Sequence, residues 1–223
     1  MAESQGSNLQ RQETKIKSIF DRSTNHFRYR WGIWEIEKML KTDRHLSSSE
    51  NALCSLGLLY DHLPSRKTPL RQRRKYEDKA LTLYRRALKV NPKSARATWG
   101  IGRVWWHRKN RKAIAYALRA YQLRKRSGER VGLYAQNVGL VYEFLGDYKN
   151  AERWLLRGLK ENLHDFGSYL NLVVFYKLVG RLKDAKRYTL VLNKLYKKEP
   201  LSFKKTPWGK RITSVIRDAF QFK

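Results

Sequence analysis

A period of 34 residues restricts the fold of this chain more than any other feature. Residues 132–165, GLYAQNVGLVYEFLGDYKNAERWLLRGLKENLHD, align without a gap on residues 166–199, FGSYLNLVVFYKLVGRLKDAKRYTLVLNKLYKKE. Tyr142 meets Tyr176, Gly146 meets Gly180 and Ala151 meets Ala185. Self-similarity at this period implies one supersecondary unit stacked on its neighbours, since a single unit cannot bury its own apolar face. The landmarks continue toward the N-terminus. LCSLGLLY supplies Leu53, Leu56, Gly57 and Tyr60, and ALTLYRRALKVNP supplies Ala80, Tyr84, Ala87 and Pro92. Between them, TWGIGRVWW and AIAYALRAY form a further helix pair around Gly102, Trp105, Ala113, Ala117 and Ala120.

The pattern resembles the tetratricopeptide repeat family over residues 50–199. The resemblance implies an all-α, right-handed α-solenoid of helix–turn–helix repeats with helical caps. Four repeats are expected, at 49–92, 94–127, 132–165 and 166–199. Gly146 and Gly180 should end the first helix of their repeats in a left-handed conformation, and Pro92 should stop a helix. Two departures stand out. From Tyr60 to Ala80 the chain is longer than the family spacing, which calls for an insertion or a lengthened second helix. The second repeat loses a residue in its turn and then runs on through QLRKRSGERVG. Residues 1–48 are expected to form a helical cap or a degenerate repeat, with helices at 8–22 and 27–42 anchored by Trp31, Trp34 and Met39. Residues 200–223 should cap the other end with a helix from about Pro207 to Phe220, whose Ile212, Val215, Ile216 and Phe220 share one face.

Charge says what such an array could meet. The formal net charge is +30, and residues 64–130 hold 22 basic against 3 acidic residues. An excess of this size predicts attraction to polyanions, nucleic acid first and an anionic membrane surface far behind. The candidate polyanion-binding residues are Arg71, Arg73, Arg74, Lys75, Arg108, Lys109, Arg111, Lys112, Arg124, Lys125, Arg126 and Arg130. Competing readings are a solvated outer face in a generally basic proteome, and a targeting signal at RQRRK. No RNA-recognition motif is present, so any contact would be to phosphates and salt-sensitive. The N-terminus has no apolar run, the longest apolar stretch is too short to span a bilayer, and Cys54 is the only cysteine. These features predict a soluble, intracellular protein without disulfides.

No catalytic constellation is legible. His26, His45, His62, His107 and His164 lack metal-ligand spacing, and there is no phosphate loop, nucleophile elbow or paired-carboxylate motif. Neither metal nor cofactor is expected. In the family, positions two, five, six, nine, twelve and thirteen of each first helix line a concave groove. Carried onto this chain, that implies Arg96, Trp99, Gly100, Arg103, Trp106 and His107 in the second repeat. It implies Leu133, Gln136, Asn137, Leu140, Glu143 and Phe144 in the third, and Gly167, Leu170, Asn171, Val174, Lys177 and Leu178 in the fourth. Asn137 and Asn171 occupy one position in successive repeats, and an amide both donates to and accepts from an extended backbone. The family's Lys/Asn/Arg carboxylate clamp is missing. The expectation is a non-enzymatic adaptor that holds a protein segment, its basic face associating with RNA or a ribonucleoprotein; the alternative is a direct, sequence-nonspecific RNA binder.

Overall fold

The computed structural model describes residues 2–25, 28–65 and 67–220, with the side chains of residues 2–6, 25, 219 and 220 outside that description. Twelve α-helices and one short 3-10 turn account for the described secondary structure, and no strand occurs among these residues. The chain divides into two compact units, Met1–Leu123 and Arg124–Lys223.

In the first unit, α1 (Ala2–Asn25) and α2 (Tyr29–Thr42) precede the 3-10 turn Leu46–Ser48, α3 (Glu50–His62), α4 (Leu70–Val90) and α5 (Ala95–His107). Helix α6 (Lys112–Arg126) runs across the division. The core of this unit gathers Ile16 and Ile19 of α1, Ile33 and Ile36 of α2, Leu53 and Leu59 of α3, and Tyr84 of α4. Of the anchors expected in α2, Trp31 and Met39 pack against this core, but Trp34 is 57% exposed. Ile33 and Ile36 take the inward positions instead, one turn apart on a stripe that the neighbouring tryptophans obscured in the sequence. His26 and Phe27 lie outside the described residues.

The long first repeat resolves into both of the alternatives its spacing allowed. Among the described residues between α3 and α4 none is helical, and α4 is 21 residues long against 14 for α8. Pro69 stands just before α4, where a missing N–H costs nothing, and Pro92 follows the end of the helix at Val90. Serine caps set the entries of α3 and α5: Ser49 Oγ accepts from the Ala52 amide at 3.2 Å and Ser94 Oγ from the Ala97 amide at 3.0 Å. Each such cap is worth about 1 kcal/mol.

The second unit contains α7 (Gly132–Phe144), α8 (Tyr148–Glu161), α9 (Phe166–Leu178), α10 (Leu182–Lys197), the one-turn α11 (Leu201–Lys204) and α12 (Pro207–Phe220). Its two hairpins turn by the same device. Gly146 and Gly180 adopt φ of +80° and +74°, and the next amide reaches back to the carbonyl of Tyr142 (3.0 Å) or Tyr176 (2.8 Å). The α5–α6 turn keeps the same bond, Asn110 N–H to Trp105 O at 2.9 Å, with Lys109 at φ 54° where the others carry glycine. A side chain there costs roughly 1–2 kcal/mol, which the repeat geometry must offset. Leu155, Phe175, Leu192 and Ile212 are buried in the core, and Ile212 and Ile216 bring α12 onto it. The Tyr196 hydroxyl donates to the Gly209 carbonyl at 2.9 Å and fixes the start of that helix. Among the described residues no helix is long and apolar enough to cross a membrane.

Candidate ligand-binding faces

In the first unit, one side of α5 gathers Arg96, Trp99, Arg103, Trp106 and His107. Arg96 donates to Ser55 Oγ at 3.0 Å, lies over the Phe20 ring and borders a cavity of about 440 Å3 next to Glu13 and Lys17 of α1. Trp99 and Trp106 sit 6.3 Å apart, and Trp106 continues onto the His107 ring at 5.9 Å. Gly100 does not join this face. A Cβ there would lie 2.4 Å from the Tyr84 ring, so the glycine exists to admit Tyr84, which is also held against Gly57.

Asp61, which no sequence motif singles out, organises this cluster. Its side chain is fully buried at the end of α3, with Arg103 Nη2 2.9 Å from one oxygen and His107 Nδ1 3.0 Å from the other. Burial alone would push the Asp61 carboxyl up; the Arg103 guanidinium, helped by His107 and His62, outweighs it and holds the pKa below the ordinary range. Arg103 also donates to His62 Nε2 at 3.1 Å, and the other side of that imidazole stacks on Tyr29 at 5.7 Å. Desolvation, with the Arg103 charge beside it, pushes His62 down to about 4, so it is a neutral acceptor at neutral pH although its outer edge is exposed. The signal for Asp61 was slight: a lone acid closing the otherwise apolar run NALCSLGLLYDH. Cys54, buried in the same core, has its thiol pushed up to about 12 by burial and is chemically quiet. Among the described residues no group of three or more His, Cys, Asp or Glu side chains could hold a metal.

The corresponding face of the second unit is apolar with amides set into it. Leu133 and Phe144 of α7 and Val174 and Leu178 of α9 are exposed, Leu133 at 66% and Leu178 at 56%. Leu170, expected in the groove, is buried. The expected amides divide into two kinds. Gln136 is 3% exposed and braces the hairpins: its amide donates to Asp165 Oδ2 at 3.1 Å and to Ser168 Oγ, and its carbonyl accepts from Asn171 Nδ2 at 2.8 Å. Asn137 is half-buried and its side chain makes no hydrogen bond among the described residues. Burial pushes the Glu143 carboxyl up, and one of its oxygens is buried without a hydrogen-bond partner. Lys177 lies on α9 one position before Leu178.

The twelve basic candidates do not fall in one unit. Arg71, Arg73, Arg74, Lys75, Arg108, Lys109, Arg111 and Lys112 belong to the first, and Arg124, Lys125, Arg126 and Arg130 to the second. Several are spent on internal contacts. Arg108 grips Glu77 at 2.8 Å and Asp78 at 2.7 Å, Arg74 also reaches Glu77 at 3.0 Å, and Arg124 pairs with Glu129 at 2.5 Å. Arg73 donates to the Ser65 carbonyl, and Lys112 lies over the Trp105 ring at 5.2 Å.

No family model matches this sequence, and neither does any curated protein. Solved structures do match. PilW, a widely conserved type IV pilus biogenesis factor, is 21% identical with a TM-score of 0.64, over 93% of this chain and 90% of its own. TTC0263, a thermophilic TPR protein of Thermus thermophilus, is 16% identical with a TM-score of 0.68, over 92% of this chain and 99% of its own. PilF of Pseudomonas aeruginosa is 15% identical with a TM-score of 0.60, over 93% and 88%. With paired helices, left-handed turns at a 34-residue period and these structures in agreement, the chain has the tetratricopeptide-repeat fold.

Proposed function

We propose that this protein is a non-enzymatic interaction module that holds an extended segment of another protein on the face of α7 and α9. The observation that carries the reading is the pairing of chemistries on that face. Leu133, Phe144, Val174 and Leu178 are exposed large apolar side chains, while Asn137 and Glu143 keep unused hydrogen-bonding capacity beside them. Exposed apolar surface of this kind marks a binding site, and a free amide among it can pair with both the N–H and the C=O of a strand-like backbone. Asn171 serves the face indirectly, by locking Gln136 across the two hairpins. In the first unit, the Asp61–Arg103–His107 cluster holds α3 and α5 in register and leaves Trp99 and Trp106 beside it as partly exposed aromatic surface.

A random peptide library displayed on phage and selected against the full chain tests the proposal. Enriched peptides should carry apolar residues in alternation. Their affinity should fall at least about tenfold with Leu133→Glu combined with Leu178→Glu, and by a few-fold with Asn137→Ala. Selection that yields no sequence, or peptides indifferent to both variants, would end this reading.

A further inference from the structure

The side of the first unit that carries α2 and α4 has a different composition. A cleft of about 770 Å3 lies there, with a floor of Leu40, Leu56, Tyr60 and Leu83. Lys41 of α2 stands on one wall, and Lys75, Lys79 and Arg86 of α4 on the other. Arg71 extends the α4 row into an adjoining hollow of about 540 Å3. Arg71, Lys75 and Lys79 are spaced i, i+4, i+8, so their charges recur about every 6 Å along the helix.

Two acids, Glu37 and Asp78, also line the cleft, and each has a partner of its own, as does Glu77 beside Asp78 on α4. Glu77 is buried between Arg74 and Arg108, Asp78 is taken by Arg108, and Glu37 accepts from the Tyr60 hydroxyl. Lys41 and Lys75 make neither a hydrogen bond nor an ion pair among the described residues, and Lys79 and Arg86 find only neutral acceptors, Tyr60 Oη at 3.2 Å and the Ser47 carbonyl at 2.9 Å. The wall therefore carries a run of cations with no carboxylate partner, above an apolar floor.

We propose that this cleft docks an acidic amphipathic helix from a partner protein, apolar stripe on the floor and carboxylates along Lys75, Lys79 and Arg71. Two features select this occupant. A helix bearing acids at i, i+4, i+8 repeats its charge at the same interval as the α4 row, and it offers apolar side chains at i+3 and i+7 to the floor. A phosphate backbone would match the charge but leave the floor uncovered. Tyr60, the aromatic of that floor, is 4% exposed with Lys79 4.9 Å above its ring, so no open face remains there for a base to stack on. The site is independent of the α7–α9 face.

The probe is a fluorescent, end-capped peptide about five helical turns long, built from Leu, Ala and Glu in amphipathic order. Its binding to the full chain is read by anisotropy beside a scrambled peptide of equal composition, polyuridine RNA, and phosphatidylserine–phosphatidylcholine vesicles. The ordered peptide should bind at least about tenfold tighter than the scrambled one, and Lys41→Glu with Lys75→Glu should weaken it about tenfold. Thr82→Trp fills the cleft without changing its charge and should also abolish binding; circular dichroism checks that both variants stay folded. Equal binding of the two peptides, or indifference to Thr82→Trp, overturns the proposal. So does RNA or vesicle binding that is lost with the charge reversals while the ordered peptide fails to bind.

Discussion

Replacing Arg103 by Met tests the buried cluster in a way that a simple loss of packing could not imitate. Methionine keeps most of the length and the apolar stem, so the chief change is that the fully buried Asp61 loses its strongest cationic neighbour. Removing one partner of a buried ion pair typically costs about 3–5 kcal/mol, because the remaining charge is left without water or compensation. Arg103 lies 2.9 Å from Asp61, and His107 Nδ1 remains 3.0 Å from its other oxygen in the variant, so the lower end, about 3 kcal/mol at pH 7, is expected. The pH dependence carries the sharper prediction. In the native chain the Asp61 pKa is depressed, so its contribution is present above the unfolded value of about 3.9 and is lost as pH falls through the folded pKa. In Arg103→Met burial dominates and the folded pKa rises above the unfolded one. Its penalty is then absent below about 3.9 and grows as pH climbs through the raised value. Between pH 7 and pH 4.5 the gap between native and variant must therefore narrow from the variant's side, because the native contribution is lost only below about 3.9. Urea unfolding followed by circular dichroism at pH 7 and pH 4.5 measures it. A gap below about 1 kcal/mol at pH 7, or one that does not shrink at pH 4.5, would refute the assignment of Asp61 as a paired buried carboxylate. Adding Asp61→Asn to Arg103→Met should recover part of the loss at pH 7 and remove the pH dependence.

Four further substitutions separate packing from hydrogen bonding. Gly100→Ala gains about 1 kcal/mol of helix propensity but drives a methyl to 2.4 Å from the Tyr84 ring, which Gly57 prevents from retreating; a net loss of about 1–2 kcal/mol in urea unfolding is expected, and it should vanish in a Tyr84→Leu background. Tyr84→Phe removes a buried hydroxyl that has no partner and should stabilise the chain by about 1 kcal/mol in the same assay, whereas a loss would reveal a hydrogen bond to that oxygen. Gln136→Leu strips Ser168 and Asn171 of their shared partner and should cost about 1–3 kcal/mol, while Asn137→Ala, one residue away, should change stability by less than about 0.5 kcal/mol.

That contrast between adjacent amides shows where sequence reasoning stops. The period of 34, the left-handed glycines and the C-terminal helix α12 were legible because each is written locally: a glycine at a turn, an alanine at a crossing, an apolar stripe at helical spacing. Assigning the groove by position treats a residue as facing one way at each rung. On a helix packed on two neighbours, the boundary between inward and outward falls within about one residue of these positions. Gln136 lies one residue to the inner side of it and Asn137 to the outer, and Gly100 and Leu170 fall inward for the same reason. The polar residues that hold the repeats together leave no periodic trace at all. Asp61 and Gln136 are single side chains whose partners arrive from 29 to 46 residues away, so only their burial distinguishes them from solvated neighbours.

The basic block presents the reverse case, in which composition was plain and its arrangement was not. Counting charge along residues 64–130 suggested a single unpartnered polyanion surface. Three-dimensional pairing divides the α4 cations by face. Arg74 is drawn onto Glu77, and Arg108, the residue just past α5, onto Glu77 and Asp78, which holds the end of α5 to α4. Arg71, Lys75 and Lys79 lie on the side turned toward α2, where Glu37 is engaged by Tyr60. An excess of cations against two acids would repel itself wherever it was placed. The fold concentrates the neutralising pairs at a helix contact that needs them, and the uncompensated charge is left around a cleft with an apolar floor. Self-repulsion along that row, about 6 Å between charges and relieved further by salt or by a ligand, predicts that an acidic partner helix stabilises α4 itself. Hydrogen exchange of the α4 amides should then slow on binding the ordered peptide at low ionic strength, with the effect fading as salt screens the row.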